Sequence, residues 1–550
     1  MARPSVPSRL LPGLLVTLPL LVSGLPGALQ GQAAPDSPAP LALAEATVAE
    51  LGAAMDAGTL TAERLVELSL ARIEVYDRAG PRLNAVLWLN QGALESARAL
   101  DVERREQGPR SPLHGIPVVL KDNIDTADLP TTAGSLLLAG SIPPDDAFIV
   151  RKLREAGAIV LAKVNMSEFA GGAVMSSISG PMRNPHDPLR TPSGSSGGTG
   201  VAVAAWYAPL GIGTDTGGSI RGPSASNGIV GLKPTLGLLS RDGIVPLSLT
   251  FDTAGPMGRS VYDVAVMLGV MTGVDPADPA TAAGEGRAHT DYTPFLDADA
   301  LRGARIGIAR DFMGADADVD WVMEAALATM RRAGATVVEV RYPRWFLEAK
   351  ADWYTTIRWP DFRDQIEDYL ATLRPGYPRS LADLIIRSKE ITSPTPMGGM
   401  PNPVRWSLFE QEEASGSTTA PGYLAMRDHG LPLARGIVEG ILATDSLDAI
   451  VYPTSSTRPA LAEGGGGAGG WTSATNIANL TGFPDLVVPA GFVGGNLPVG
   501  ISFFGPAFSE PRLLALGYAF EQATRARRRP TFTPALPGEE FQPAPSGGGR

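Results

Sequence analysis

The sequence predicts an α/β protein in which helices cover both faces of a central sheet. Two observations carry that expectation. From about residue 116 onward, short apolar runs of strand length alternate with stretches of helical spacing, the rhythm of strands joined across a sheet by helices. The chain also has 550 residues, 44% hydrophobic and 19% charged, a globular composition with enough length for a large core.

Residues 1–33 read as an export signal. Arg3 and Arg9 form a basic start, Leu10 to Val22 is apolar apart from Thr17, and Gly31-Gln32-Ala33 ends on a small residue, the order of features a signal peptidase recognises. The apolar run is short and interrupted by Pro12 and Pro19, so it does not suit a retained anchor. No later stretch approaches the ~20 apolar residues that span a bilayer. The expected location is periplasmic or secreted, without stable membrane insertion. Residues 34–43 form a Pro/Ala-rich linker, and the folded domain is expected over 44–530.

Within residues 44–76, Leu51, Met55, Leu65, Leu68 and Leu70 recur at helical spacing, with a break at Gly58-Thr59 and Thr59 or Thr61 as cap of the second helix. Residues 81–90 alternate as a strand, and 91–107 form a helix. Residues 116–120 are a short apolar strand running into Lys121-Asp122-Asn123. A helix over 145–156, a strand over 159–162 and a helix opening at 165–170 follow. Residues 208–213 read as a strand, 305–309 as a strand, 318–333 as a helix and 336–340 as a strand. Further strands are expected at 449–452, 486–489 and 499–504, and the last helix at 510–524. Residues 344–440 form a helical insertion, rich in aromatics such as Trp353, Tyr354 and Trp359, placed near the substrate site. Such aromatics suit a peripheral packing pair and a wall of the site equally. Residues 392–404 form a Pro/Gly/Met loop, 464–470 are a glycine run, and 531–550 read as a disordered tail.

Composition excludes several functions. A net charge of −11 argues against a nucleic-acid surface. The absence of cysteine removes disulfides, thiolate nucleophiles and Cys-ligated metals. The four histidines, His114, His186, His289 and His429, are scattered without a metal-binding spacing.

The chemistry concentrates in residues 191–235. Two glycine-rich loops bear serines there, Ser193-Gly194-Ser195-Ser196-Gly197-Gly198 and Gly213-Thr214-Asp215-Thr216-Gly217-Gly218-Ser219. A nucleophilic serine needs a base and donors for the developing oxyanion. Successive N–H groups of the second loop can curl into an anion-binding nest beside Ser219. Histidine is scarce, with only His114 near the expected site, but a lysine whose pKa is lowered by burial can act as base. Lys121, at the end of an apolar strand, is placed for that role, and Ser195 could pass a proton between Ser219 and Lys121. Three other readings compete. Gly194-Ser195-Ser196-Gly197-Gly198 satisfies G-x-S-x-G with Ser196 as nucleophile, but that motif requires a preceding hydrophobic strand, and the residues before it are RNPHDPLRTP. A phosphate loop would need G-x-x-x-x-G-K-[ST], which is missing. Both loops could also be plain turns.

Lys121-Asp122-Asn123, the two serine loops with Ile220-Arg221, Ala162-Lys163-Val164-Asn165-Met166-Ser167-Glu168-Phe169 and Gly231-Leu232-Lys233-Pro234-Thr235 together resemble the amidase signature family, over about residues 45–526. The resemblance implies a central mixed β-sheet surrounded by helices and a Ser–cis-Ser–Lys triad. Ser219 would be the acyl-forming nucleophile, Ser195 the bridging serine after a cis peptide with Gly194, and Lys121 the base. Backbone N–H groups of Thr216, Gly217 and Gly218 would bind the oxyanion, with Gly194, Ser196, Asp215 and Arg221 supporting the loops. No metal or organic cofactor is implied. Ser193 stands where many members have glycine, and Gly222 replaces a commoner bulky residue, so a larger pocket past the nucleophile is expected.

The implied activity is that of an exported amidase that hydrolyses a carboxamide C–N bond in a small-molecule or short-peptide substrate. Residues 237–257 (GLLSRDGIVPLSLTFDTAGPM) resemble bacterial peptide amidases, which remove the C-terminal amide of peptides. Two rivals stand beside this reading. One is the glutaminase subunit of a tRNA-dependent amidotransferase, against which an export signal speaks. The other is a catalytically silent binding protein of the same fold, against which the filled triad speaks.

Overall fold

The computed structural model describes residues 41–391, 405–462 and 473–541. One sheet of eleven strands runs through the described residues. In chain order these are β1 (Val86–Leu89), β2 (Pro117–Lys121), β3 (Ile159–Val164), β4 (Leu210–Asp215), β5 (Val230–Lys233), β6 (Thr253–Gly258), β7 (Arg305–Ala309), β8 (Thr336–Val340), β9 (Ala449–Pro453), β10 (Asp485–Val493) and β11 (Leu497–Phe504). Across the sheet the order is β8-β7-β9-β11-β10-β5-β6-β4-β2-β3-β1. β2 is parallel to β3 and β4, and β7 is parallel to β8 and β9. The other neighbours are antiparallel. The sheet is therefore mixed, as expected. The central strands β2 to β6 are buried along their whole length, which requires helices on both faces.

Most elements lie where hydrophobic periodicity places them. Strands β7 and β8 and the last helix, Glu510–Thr524, match residue for residue. Thr61, rather than Thr59, caps the helix Ala62–Arg72 by accepting from Arg64 N–H at 3.0 Å. Two extensions matter for the site: β2 takes in Lys121, and β4 runs on through Thr214 and Asp215.

The expected helix opening at 165–170 is corrected to a single turn, Glu168–Ala170, in which Phe169 and Ala170 have φ of 45° and 57°. Its backbone serves another purpose, since Ser167 N–H donates to Ser195 O at 3.0 Å. Sequence reading also passed over β5, β6 and the helices Gly197–Ala204 and Arg221–Asn227. Helix Gly197–Ala204 is completely buried, and a Cβ on Gly198 would lie 2.2 Å from Asn165 O. Close packing demands glycine there although glycine disfavours helix.

The chain termini of the described domain are tied together. Leu41–Ala42 pairs antiparallel with Glu540–Phe541. Arg72 and Glu539 form a buried ion pair at 2.7 Å, and Arg72 also donates to the carbonyls of Thr533 and Pro534. The tail expected to be disordered from 531 is thus ordered through 541, because Glu539 supplies the counter-charge a buried arginine needs. The signal (1–33), most of the linker, the 392–404 loop, the 464–470 glycine run and residues 542–550 lie outside the described residues. Removing the Glu539 carboxylate strands the buried guanidinium, so Glu539→Ala should lower unfolding stability by about 3 kcal/mol in urea titrations.

Candidate active site

Parallel pairing of β2 with β4 sets Leu120 opposite Ile212, so the last residues of the two strands emerge side by side. Lys121 Nζ lies 2.6 Å from Ser195 Oγ, 2.8 Å from Thr214 Oγ1 and 3.2 Å from Thr214 O. Asn123 Nδ2 donates to the same Thr214 hydroxyl at 3.1 Å. Lys121 is completely buried. Loss of water pushes its pKa from the usual 10.5 down to about 7, against the opposing pull of Asp215 and Asp252. A neutral amine has two N–H bonds and one lone pair. The two oxygens of Thr214 take the N–H bonds, which turns the lone pair towards the Ser195 hydroxyl.

The two glycine loops hold each other through main chain. The Gly194–Ser195 peptide is cis, and Ser196 N–H donates to Ser219 O at 3.2 Å. Ser196 Oγ donates to Thr214 O at 3.1 Å and is buried, so it braces the loop and does not face a substrate; the nucleophile-elbow reading fails on that geometry. Asp215 organises the second loop. Its carboxylate accepts from Gly218 N–H at 2.8 Å and Ile220 N–H at 3.0 Å and pairs with Arg221 at 3.1 Å. Arg221 in turn reaches Asp485 at 3.1 Å and Asn479 Oδ1 at 2.6 Å. Burial alone would raise the Asp215 carboxyl, but Arg221 beside it holds it well below its ordinary value.

Of the three amides assigned to the oxyanion, Gly218 N–H is therefore already donated to Asp215. Among the described residues, the N–H groups of Thr216, Gly217 and Ser219 carry no hydrogen bond. The Ser219 amide was not among the three amides assigned from the sequence. Ser219 is 9% exposed, and among the described residues no hydrogen bond joins its Oγ to Ser195 Oγ. The structure thus makes the Lys121–Ser195 contact and places Ser219 beside it in one cavity.

That cavity, of about 720 Å³, is lined by Ser195, Ser219 and Gly217 from the loops and by Tyr354, Arg358 and Trp359 from the helix Arg344–Thr372. The aromatic insertion is a wall of the site. Tyr354 stacks on Phe251 at 5.3 Å, and its hydroxyl would lie 2.6 Å from any Cβ on Gly217. The enlargement expected at Gly222 is corrected: a Cβ there would lie 2.7 Å from Ser193 Oγ, so the Ser193 side chain already occupies that space. Asp252 is a further residue that sequence reading missed. It accepts from the Thr216 hydroxyl and, through Oδ2, from Leu247 N–H at 2.8 Å and Ser248 N–H at 2.9 Å. Burial pushes its carboxyl up to about 6. Its one sequence signal is membership of the 237–257 stretch. His114 is buried against Leu100 O, to which Nε2–H donates at 2.9 Å, and does not line the cavity.

The family model described as Amidase matches residues 64–514. The chain belongs to the amidase family. The native peptide amidase from Stenotrophomonas maltophilia is 43% identical, with a TM-score of 0.82 over 89% of this chain and 99% of that one. A glutamyl-tRNA(Gln) amidotransferase subunit from Halorhodospira halophila is 37% identical over 494 residues, 87% of this chain and 97% of the relative. A probable amidase of Arabidopsis thaliana is 34% identical over 501 residues, 89% and 92% of the two chains.

The amidase is an amide-hydrolysing enzyme with the amidase signature fold. Its Ser193–Gly222 contact is open to a direct test. Gly222→Ala should cost this amidase about 1 kcal/mol by crowding Ser193, and Ser193→Gly in the same chain should recover most of it. Additive stabilities across that double-mutant cycle would mean that the two positions are independent.

Proposed function

We propose that this amidase is exported and hydrolyses the C-terminal carboxamide of short peptides through an acyl-Ser219 intermediate. The observation that carries the mechanism is the buried Lys121 amine, 2.6 Å from Ser195 Oγ and with its pKa lowered by burial to about 7. Ser219 Oγ attacks the amide carbon, Ser195 takes the Ser219 proton, and Ser195 passes its own to Lys121. The open N–H groups of Thr216, Gly217 and Ser219 receive the oxyanion. As the C–N bond breaks, the proton returns from Lys121 through Ser195 to the leaving nitrogen, and ammonia departs. Water then attacks the acyl carbon while passing a proton through Ser195 to Lys121, and as the C–Oγ bond breaks that proton returns through Ser195 to Ser219 Oγ, releasing the acid.

The peptide reading is supported by 43% identity to a peptide amidase across 99% of that chain and by a cavity of a size that suits a small peptide. Export is supported by the basic, apolar and small-residue order of residues 1–33. A second reading, glutaminase action within a tRNA-dependent amidotransferase, is favoured by 37% identity across 97% of the Halorhodospira halophila relative. Export would separate the chain from aminoacyl-tRNA.

Ammonia release from amidated dipeptides, aliphatic and aryl amides and free glutamine distinguishes these readings. Release from the dipeptide amides, abolished in Ser219→Ala, is the expected result. Release from glutamine alone would transfer the chain to the second reading, and release from none would make it a binding protein.

The pH dependence of kcat/KM follows from the lysine. Lys121 is neutral only above its lowered pKa, so kcat/KM should rise as pH passes through about 7 and then level. A flat profile between pH 5 and 9 would remove Lys121 as the base.

A further inference from the structure

Glycine, hydroxyl-bearing and apolar residues make up most of the wall in front of Ser219, and among the described lining residues Arg358 carries the one charged side chain. Helix Arg344–Thr372 places it one turn, ~6 Å of rise, beyond Tyr354, the residue packed on Gly217 of the oxyanion loop. Behind it stands an unequal set of charges. Glu412 Oε1 accepts from Arg358 Nη1 at 2.6 Å and also from Arg405 Nη2, so one buried carboxylate faces two guanidinium groups. Arg405 spends its remaining reach elsewhere, donating to Phe169 O and lying 4.4 Å over the ring of Phe362. Glu168, which accepts from Arg405 N–H at 3.0 Å, is pushed up by burial to about 7 and offers at most part of a second negative charge. Among the described residues, Nε and Nη2 of Arg358 carry no hydrogen bond. A guanidinium held through one nitrogen, with positive charge in surplus and its other donors free, is a receptor for a planar carboxylate.

We propose that Arg358 is the specificity-determining residue of this cavity, selecting amide substrates that carry a carboxylate side chain on one of the two residues before the scissile amide. The span follows from the shared cavity, in which Arg358 lies one helix turn, ~6 Å of rise, beyond Tyr354 on Gly217, and an extended residue covers ~3.5 Å. The inference rests on the peptide-amide reading above. A merely structural Arg358 would tie helix Arg344–Thr372 to helix Trp406–Glu413 through Glu412, and its loss would affect all substrates alike.

The test compares kcat/KM for Ala-Glu-NH2 and Glu-Ala-NH2 with Ala-Met-NH2 and Met-Ala-NH2, neutral counterparts of similar length, in the unaltered protein, Arg358→Gln and Arg358→Lys. The unaltered protein should favour the acidic member of at least one pair by about tenfold, the worth of a charge-assisted hydrogen bond, and chiefly through KM. That ratio should fall to about one in Arg358→Gln and return in part in Arg358→Lys. Equal values for acidic and neutral peptides in the unaltered protein, a comparison that depends on no variant folding, would overturn the proposal. So would a preference that Arg358→Gln leaves unchanged. If no dipeptide amide is cleaved, the peptide-amide reading fails on its own, and calorimetric binding of the same four peptides decides the anchor. Acid-selective binding lost in Arg358→Gln upholds it, and unselective or absent binding overturns it.

Discussion

The removal of water from a single amine, that of Lys121, sets the electrostatics of this site. Lys121 sits at the end of a strand whose neighbours on both sides are buried, and no solvent remains to stabilise its positive charge. Burial would fail to free the amine if a bare carboxylate lay beside it, because opposite charge favours the protonated form. Asp215 is near enough to exert that pull, but its charge is already committed to Arg221, whose second partner is Asp485. The ionic network thus does two things at once. It shapes the second glycine loop through the amides bound to Asp215, and Arg221 offsets part of the charge through which Asp215 pulls on the lysine.

Much of this architecture was legible in the sequence because long apolar strands and amphipathic helices announce themselves by period. Strands β7 and β8 and the last helix lie where the pattern puts them. Lys121, Ser195 and Ser219 stood out as well, the lysine at the end of an apolar strand and the serines within glycine-rich loops, and the structure brings Lys121 into contact with Ser195 and sets Ser219 in the same cavity as Ser195. What escaped was structure whose sequence is governed by contact. β6, TAGPMG, and helix Gly197–Ala204, GGTGVAVA, carry glycines that local propensity assigns to loops, yet both are buried where neighbouring backbone leaves no room for a side chain. Which amide of the oxyanion loop is free could not be read either. That depends on Asp215 folding back onto Gly218, an arrangement three residues long with no periodic trace. Asp252 was hidden for a related reason: a carboxylate that accepts from the Thr216 hydroxyl across 36 residues leaves no local signature.

Helix Arg344–Thr372 supplies one wall of the cavity. The sheet and the glycine loops carry Lys121, Ser195 and Ser219, whereas Tyr354 and Arg358 come from a helix that lies in sequence between β8 and β9. Ser193 and Gly222 meet in space, and the Ser193 side chain fills the room that a side chain at position 222 would need.

The pairing of Leu41–Ala42 with Glu540–Phe541 also governs when the molecule can finish folding. During synthesis the first strand emerges ~500 residues before its partner, a delay of roughly 25–100 s at ~5–20 residues per second. Over that interval Arg72 lacks the carboxylate that lets it be buried. Until residues 539–541 have been made, the chain carries an unpaired strand edge and an arginine that cannot be buried without cost.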